Sequence, residues 1–299
     1  MSKKTDSISG VVGYTVTPFD VNSGAIDVHA LHESTEYLLN SGVNAIAALG
    51  CAGECTYLDD NEWKIVAEQS IRIVDKRVPI IIGISELTIN KAVQKAVFAE
   101  DKGADVIMLA PLKHDAITDL EIYTYFSSVS DAITIPIMVY NNPAICGVDM
   151  SAEFILSMLQ NIENICMIKD SAADINRIHK LQELSSPAFS IFTGCNYLAL
   201  EALKSGLAGW CTAAPNLINN VPQKIFNAVK QNNLAEAERL FSKHKSLLKF
   251  IVEKGLARSV KAGLELKGIS VGKPREPVRP LSNVDIEILG ALLFDESRD

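Results

Sequence analysis

The chain has 299 residues, 48% of them hydrophobic and 21% charged, the proportions of a globular protein long enough to bury a large core. A net charge of −8 with no basic run argues against nucleic-acid or anionic-membrane binding, and no apolar run reaches the roughly 18 residues of a membrane span. The start, Met1-Ser-Lys-Lys, lacks the apolar stretch of a secretory signal, and the six cysteines at 51, 55, 146, 166, 195 and 211 make no disulfide framework, so reduced thiols in a cytoplasmic protein are expected.

In chain order, β-branched apolar runs at residues 11–17, 45–49, 79–83, 106–109, 137–140, 166–169, 190–193 and 209–213 predict eight strands. Amphipathic patterns near 28–41, 61–76, 88–102, 119–132, 151–160, 175–184, 196–205 and 221–231 predict a helix after each. Repeats of strand, helix and strand at this spacing are parallel βαβ units. Eight of them with near-continuous apolar strands predict an α/β fold, a closed (β/α)8 TIM barrel, over residues 1–231. The runner-up, a doubly wound open sheet, normally offers a glycine-rich nucleotide loop, and neither G-x-G-x-x-G nor G-x-x-x-x-G-K-[ST] occurs. Residues 232–299 read as a C-terminal helical appendage of two or three helices, interrupted by the proline-rich stretch 273–280.

Active sites of such barrels gather at the carboxyl ends of the strands. Lys169 ends the sixth predicted strand, where poor solvation disfavours the ammonium and leaves an amine able to attack a ketone and form an iminium. The bland reading is a lysine that snorkels to solvent. Tyr140 ends the neighbouring strand, within reach of an adduct on that lysine, and its hydroxyl is placed to shuttle protons. Taken alone, it reads as a buried tyrosine with a satisfied hydroxyl. Gly50-Cys-Ala-Gly-Glu54 follows the second strand, and two glycines allow a tight turn whose N–H groups cradle a carboxylate, although a plain βα turn needs no ligand. Thr193-Gly-Cys-Asn-Tyr197 and Ala213-Ala-Pro-Asn216 add space for a substrate more than chemistry.

Together with Val12-Gly-Tyr-Thr-Val-Thr-Pro-Phe19, Tyr140-Asn-Asn-Pro143, Ile168-Lys-Asp170, Val260-Lys-Ala-Gly and Pro277-Val-Arg-Pro-Leu281, these motifs resemble the dihydrodipicolinate synthase / N-acetylneuraminate lyase family in order and spacing over nearly the whole chain. The resemblance implies a class I aldolase or lyase, usually a homotetramer or dimer of dimers, that forms a Schiff base between Lys169 and pyruvate or a related 2-oxo acid and makes or breaks a carbon–carbon bond with an aldehyde. It implies no metal and no organic cofactor. It assigns Tyr140 to catalysis, and Gly50, Cys51, Ala52, Gly53, Thr17, Ile145, Ser171, Gly194 and Ala213 to substrate binding.

The departures narrow this. Cys51 and Ala52 stand where the family carries two hydroxyl residues, the first of them a relay partner of the tyrosine; each lost hydrogen bond to an anion would cost about 1.5–3 kcal/mol. Ile145 stands where a true dihydrodipicolinate synthase has an arginine, and an aliphatic side chain offers no charged contact to a second carboxylate. Asn196 and Tyr197 stand near where a sialic acid lyase has two carboxylates that grip sugar hydroxyls. Dehydration or decarboxylation of a 2-oxo acid, and a weakly active homologue that only binds one, remain as alternatives. Lys113 and His114 lie in a loop read as solvated, with proton donation or an anion contact as their functional alternative. His29 and His32 read as solvated helix surface, the cysteines on the catalytic-face loops as small apolar packing, and Asp170 as structural.

Overall fold

The computed structural model describes residues 8–185 and 189–294; the start examined above for a signal (residues 1–7) and residues 295–299 of the appendage lie outside them. Eight strands form in the predicted places: β1 (Gly10–Tyr14), β2 (Ala45–Ala48), β3 (Ile80–Gly83), β4 (Val106–Leu109), β5 (Ile137–Asn141), β6 (Ile165–Asp170), β7 (Ser190–Thr193) and β8 (Gly209–Thr212). They close into a barrel in sequence order, and the described pairings are parallel. Every strand residue is buried, which is why the strands read as continuous apolar runs rather than as alternating ones. Polar strand residues cluster at the carboxyl ends of β5 and β6: Tyr140, Asn141, Lys169 and Asp170.

Helices Val28–Asn40, Asp60–Val74, Ile89–Lys102, Asp119–Ser130, Ala152–Asn161, Ile175–Leu184 and Val221–Lys230 match the predicted ones within a few residues. Their starts are written locally. Asp27, Thr88, Ser151 and Asp174 accept from first-turn amides, and Asp59 with Glu62 and Thr118 with Glu121 form capping boxes. The predicted helix over 196–205 divides into a tight turn, Asn196–Leu198, and the helix Ala199–Lys204. Two single-turn helices were not predicted, Pro143–Cys146 and Pro215–Ile218, each opened by a proline.

By internal contacts the chain divides into two units. One consists of Pro79–Cys211 with residues 8–9 and contains β3 to β7 and most of β8. The other joins Gly10–Val78 to residues 212–294, so β1 and β2 share a unit with the three helices of the C-terminal region, Leu234–Glu253, Leu256–Leu266 and Asn283–Phe294. Within that unit the segment after the second of these helices lies against the loop that follows β1. Phe19 N–H donates to Val271 O at 3.2 Å, and a Cβ on Gly272 would sit 2.0 Å from Phe19 O. No helix among the described residues is long and apolar enough to cross a membrane.

Candidate active site

Tyr140 and Lys169 are direct partners across the β5–β6 pairing. That partnership depends on an irregularity lower in the strands: Ile137 pairs with Ile165, but Met138 pairs with Met167, so Cys166 is an extra residue on β6. Without the shift Tyr140 would face Ile168, and Lys169 would project from the opposite side of the sheet to the tyrosine. With it, the Lys169 side chain lies against the phenol ring, Nζ 4.0 Å from the ring centroid. The two side chains are 6% and 5% exposed, so Nζ sits in a poorly solvated place against an electron-rich ring face.

Three neighbours shape this centre. Asn142 donates from Nδ2 to the Tyr140 phenol oxygen at 2.6 Å, while its Oδ1 accepts from Ile145 N–H and caps the short helix Pro143–Cys146. Gly194, after β7, is held by its N–H on Asp170 O at 2.7 Å, and a Cβ there would meet Ser171 Oγ at 2.0 Å and Lys169 Cε at 2.6 Å. Its lack of a side chain is therefore what leaves space for the lysine. Ser171 Oγ is buried beside it with no hydrogen-bond partner in the described protein, a hydroxyl open to a ligand.

Asp170 points into a different network. It accepts from Asn141 Nδ2 at 3.0 Å and from Ala172 N–H at 3.0 Å, and Asn141 reaches Asp149, which pairs with Arg177 at 2.7 Å. Burial pushes the Asp170 carboxyl above its ordinary value, against the lowering pull of those two bonds. The structural role expected for it fits this arrangement.

In the other unit, the turn Gly50–Gly53 is closed by Glu54 N–H donating to Cys51 O at 3.2 Å. The strained positions are not the glycines. Leu49 (φ 60°) and Glu54 (φ 55°) take the left-handed conformations, and Gly53 is required by close approach, since a Cβ there would lie 3.1 Å from Leu49 N. Ala52 is fully buried and Cys51 half-buried. Thr17, assigned above to the substrate, spends its hydroxyl on the turn itself, donating to Gly53 O at 2.6 Å. Ala213 is buried after β8, where Asn216 donates to Tyr14 O and Ala213 O.

The sequence carries no sign of what holds Glu54. Its carboxylate accepts from Arg275 N–H at 2.7 Å and pairs with Lys261 at 2.6 Å, contacts between positions far apart in the chain. The motif Val260-Lys-Ala-Gly was visible, but nothing in it named the partner. The remaining candidates fall outside the lysine–tyrosine centre. Ile145 is 62% exposed. Lys113 and His114 are exposed, with Lys113 N–H on Cys146 O at 3.0 Å. Asn196 is buried and accepts from Trp210 Nε1 at 3.2 Å, while Tyr197 is exposed. His29 and His32 make exposed contacts to Glu33 and Glu36 one turn on. Cys146 and Cys195 are buried, and burial pushes the Cys195 thiol up, as suits a packing cysteine.

An amine held over a phenol and away from bulk water at the carboxyl end of a barrel strand is equipped to condense with a ketone, and the chain is an enzyme of the Schiff-base-forming lyases. Residues 7–294 match the model of the dihydrodipicolinate synthetase family, and the chain belongs to that family. It is 28% identical over 286 residues to a 4-hydroxy-tetrahydrodipicolinate synthase of Bartonella quintana, covering 96% of this chain and 97% of that one. A provisionally assigned dihydrodipicolinate synthetase from Pseudomonas aeruginosa is 43% identical with a TM-score of 0.94, covering 96% of this chain and 99% of its own. The chloride-inhibited dihydrodipicolinate synthase of Acinetobacter baumannii, solved with pyruvate, is 26% identical with a TM-score of 0.92 over 98% of this chain and all of its own.

Proposed function

We propose that this enzyme is a pyruvate-dependent class I aldolase whose partner aldehyde is not aspartate semialdehyde. Lys169 Nζ attacks the C2 ketone, water leaves the carbinolamine, and the iminium draws electrons from C3. Loss of a C3 proton then gives an enamine that adds to an aldehyde carbon; in the cleavage direction the same steps run backwards. Tyr140 moves the protons of dehydration. The Gly50–Gly53 amides are assigned the 2-oxo acid carboxylate by the family resemblance, with Cys51 and Ala52 in place of its hydroxyls, and Ser171, Gly194 and Ala213 are assigned to the substrate's remainder. A homotetramer in the cytoplasm goes with the same reading.

The observation that supports this most is the Lys169 amine 4.0 Å over the Tyr140 ring, both groups buried. The exposed Ile145 supports the exclusion of aspartate semialdehyde, whose carboxylate would find no cation there.

Borohydride trapping with pyruvate, read by intact mass, tests the reading. A gain of pyruvate less water plus two hydrogens, absent in Lys169→Ala, is the expected result. No adduct from folded protein with pyruvate or other 2-oxo acids would sink it. An adduct with no turnover of any aldehyde pair would favour the weakly active binding homologue that the Cys51 and Ala52 positions suggest.

A further inference from the structure

Glu54 ends the Gly50–Gly53 turn in a left-handed backbone conformation that a non-glycine residue holds only when its surroundings impose it. Leu49 does the same at the other end. Those surroundings come from the far end of the chain. The Glu54 carboxylate, 3% exposed, meets the Lys261 ammonium, itself 1% exposed, at 2.6 Å and takes the Arg275 N–H at 2.7 Å. Lys261 Nζ also donates to Lys273 O at 3.0 Å. Both cations flank one aromatic ring: Lys261 Nζ lies 4.1 Å and the Arg275 guanidinium 4.2 Å from the Phe19 centroid. The guanidinium continues to Glu62 at 2.7 Å, the same residue that closes the capping box of helix Asp60–Val74. Thr17, two residues before Phe19, fastens Gly53 from below through its hydroxyl.

A buried ion pair is a poor way to stabilise a fold, because desolvation cancels most of the attraction and an apolar pair of equal volume does as well. It is a good way to fix a position, since two charges out of water tolerate little displacement. The turn it fixes is the one assigned to the substrate carboxylate.

We propose that Glu54 and Lys261 are positioning residues: their ion pair ties the Gly50–Gly53 turn to helix Leu256–Leu266 and the 271–275 segment, and so sets the affinity for the 2-oxo acid without touching the reacting atoms. The inference rests on the reading of that turn as the carboxylate cradle.

The test uses the full-length enzyme and two readouts on pyruvate: borohydride trapping of Lys169 against pyruvate concentration, and exchange of the pyruvate methyl protons in deuterium oxide followed by NMR. The variants are Glu54→Gln, Lys261→Met and the double Glu54→Gln/Lys261→Met, in which no buried charge is left alone. In each variant that is folded at the assay temperature, half-saturating pyruvate rises about tenfold while the exchange rate at saturation stays within about twofold of wild type. Where a single variant fails to fold, the double decides. Half-saturation within about twofold of wild type in the folded double overturns the proposal, as does a maximal rate that falls in step with affinity, the mark of general loosening. A wild-type chain that traps no pyruvate overturns the functional reading and this inference together; a trapping wild type beside unshifted variants overturns the inference alone.

Discussion

The Asn142 side-chain amide donates to the phenol oxygen of Tyr140 at 2.6 Å, from a residue two positions along the same chain segment. In the proposed mechanism, a donor there steadies the charge that builds on the phenol oxygen as its proton passes to a leaving hydroxide. Asn142→Ala is expected to slow pyruvate methyl-proton exchange about tenfold, the equivalent of one hydrogen bond to a developing charge. An unchanged exchange rate would show that the amide serves only the helix cap.

Gly194→Ala puts a methyl group where Lys169 Cε and Ser171 Oγ already stand. Both side chains must move, at about 1–3 kcal/mol for overpacking. We expect a modest loss of thermal stability and a near-complete loss of the borohydride-trapped pyruvate adduct. Full trapping in this variant would mean that the lysine reaches its substrate from another direction.

Burial holds Lys261 down to about 8 from its ordinary 10.5, despite the raising influence of Glu54. The sign follows from proton counting. Between those two values the unfolded chain binds the proton more readily than the folded one, so raising the pH favours folding; this contribution is complete above 10.5 and lost as the pH falls through about 8. The melting temperature of the wild type relative to Lys261→Met should therefore climb from about pH 8 to pH 10.5. A flat difference across that window would show that Lys261 titrates like an exposed lysine. At neutral pH, removing either partner singly should cost about 3–5 kcal/mol, measured by denaturant unfolding, because the other charge stays buried alone.

Asp170→Asn should separate structure from chemistry. The change places an amide against the Asn141 amide, so one donor loses its acceptor, at about 1–3 kcal/mol. Stability read from thermal unfolding should drop while the trapped adduct on Lys169 still forms. An adduct lost from stable protein would make Asp170 part of the catalytic machinery.

The strands were legible because burial on both faces leaves no polar alternation to confuse them, and the helices because their caps and periodicity are local. What was not legible was non-local or geometric. The two short helices Pro143–Cys146 and Pro215–Ile218 are single turns, too brief for any period to register. The chemical pair Lys169 and Tyr140 was named from strand ends, yet their alignment depends on the extra residue Cys166, which no pattern in β6 announces. The glycine turn is tight as expected, with Gly53 required by its close approach to Leu49. Leu49 and Glu54 carry the unusual backbone angles there, and Glu54 is held by partners that sequence proximity does not reveal.

Arg275, whose N–H meets the Glu54 carboxylate, is encoded 221 positions after it. A ribosome makes the glutamate early and its partners late, so for most of translation this carboxylate has neither. A nascent or proteolysed fragment that stops at helix Val221–Lys230 already contains Lys169 and Tyr140 but lacks Lys261 and Arg275. The Gly50–Gly53 turn thus gains the partners of its Glu54 only after every barrel strand has been made, so its buried carboxylate is completed by contacts that come late in synthesis.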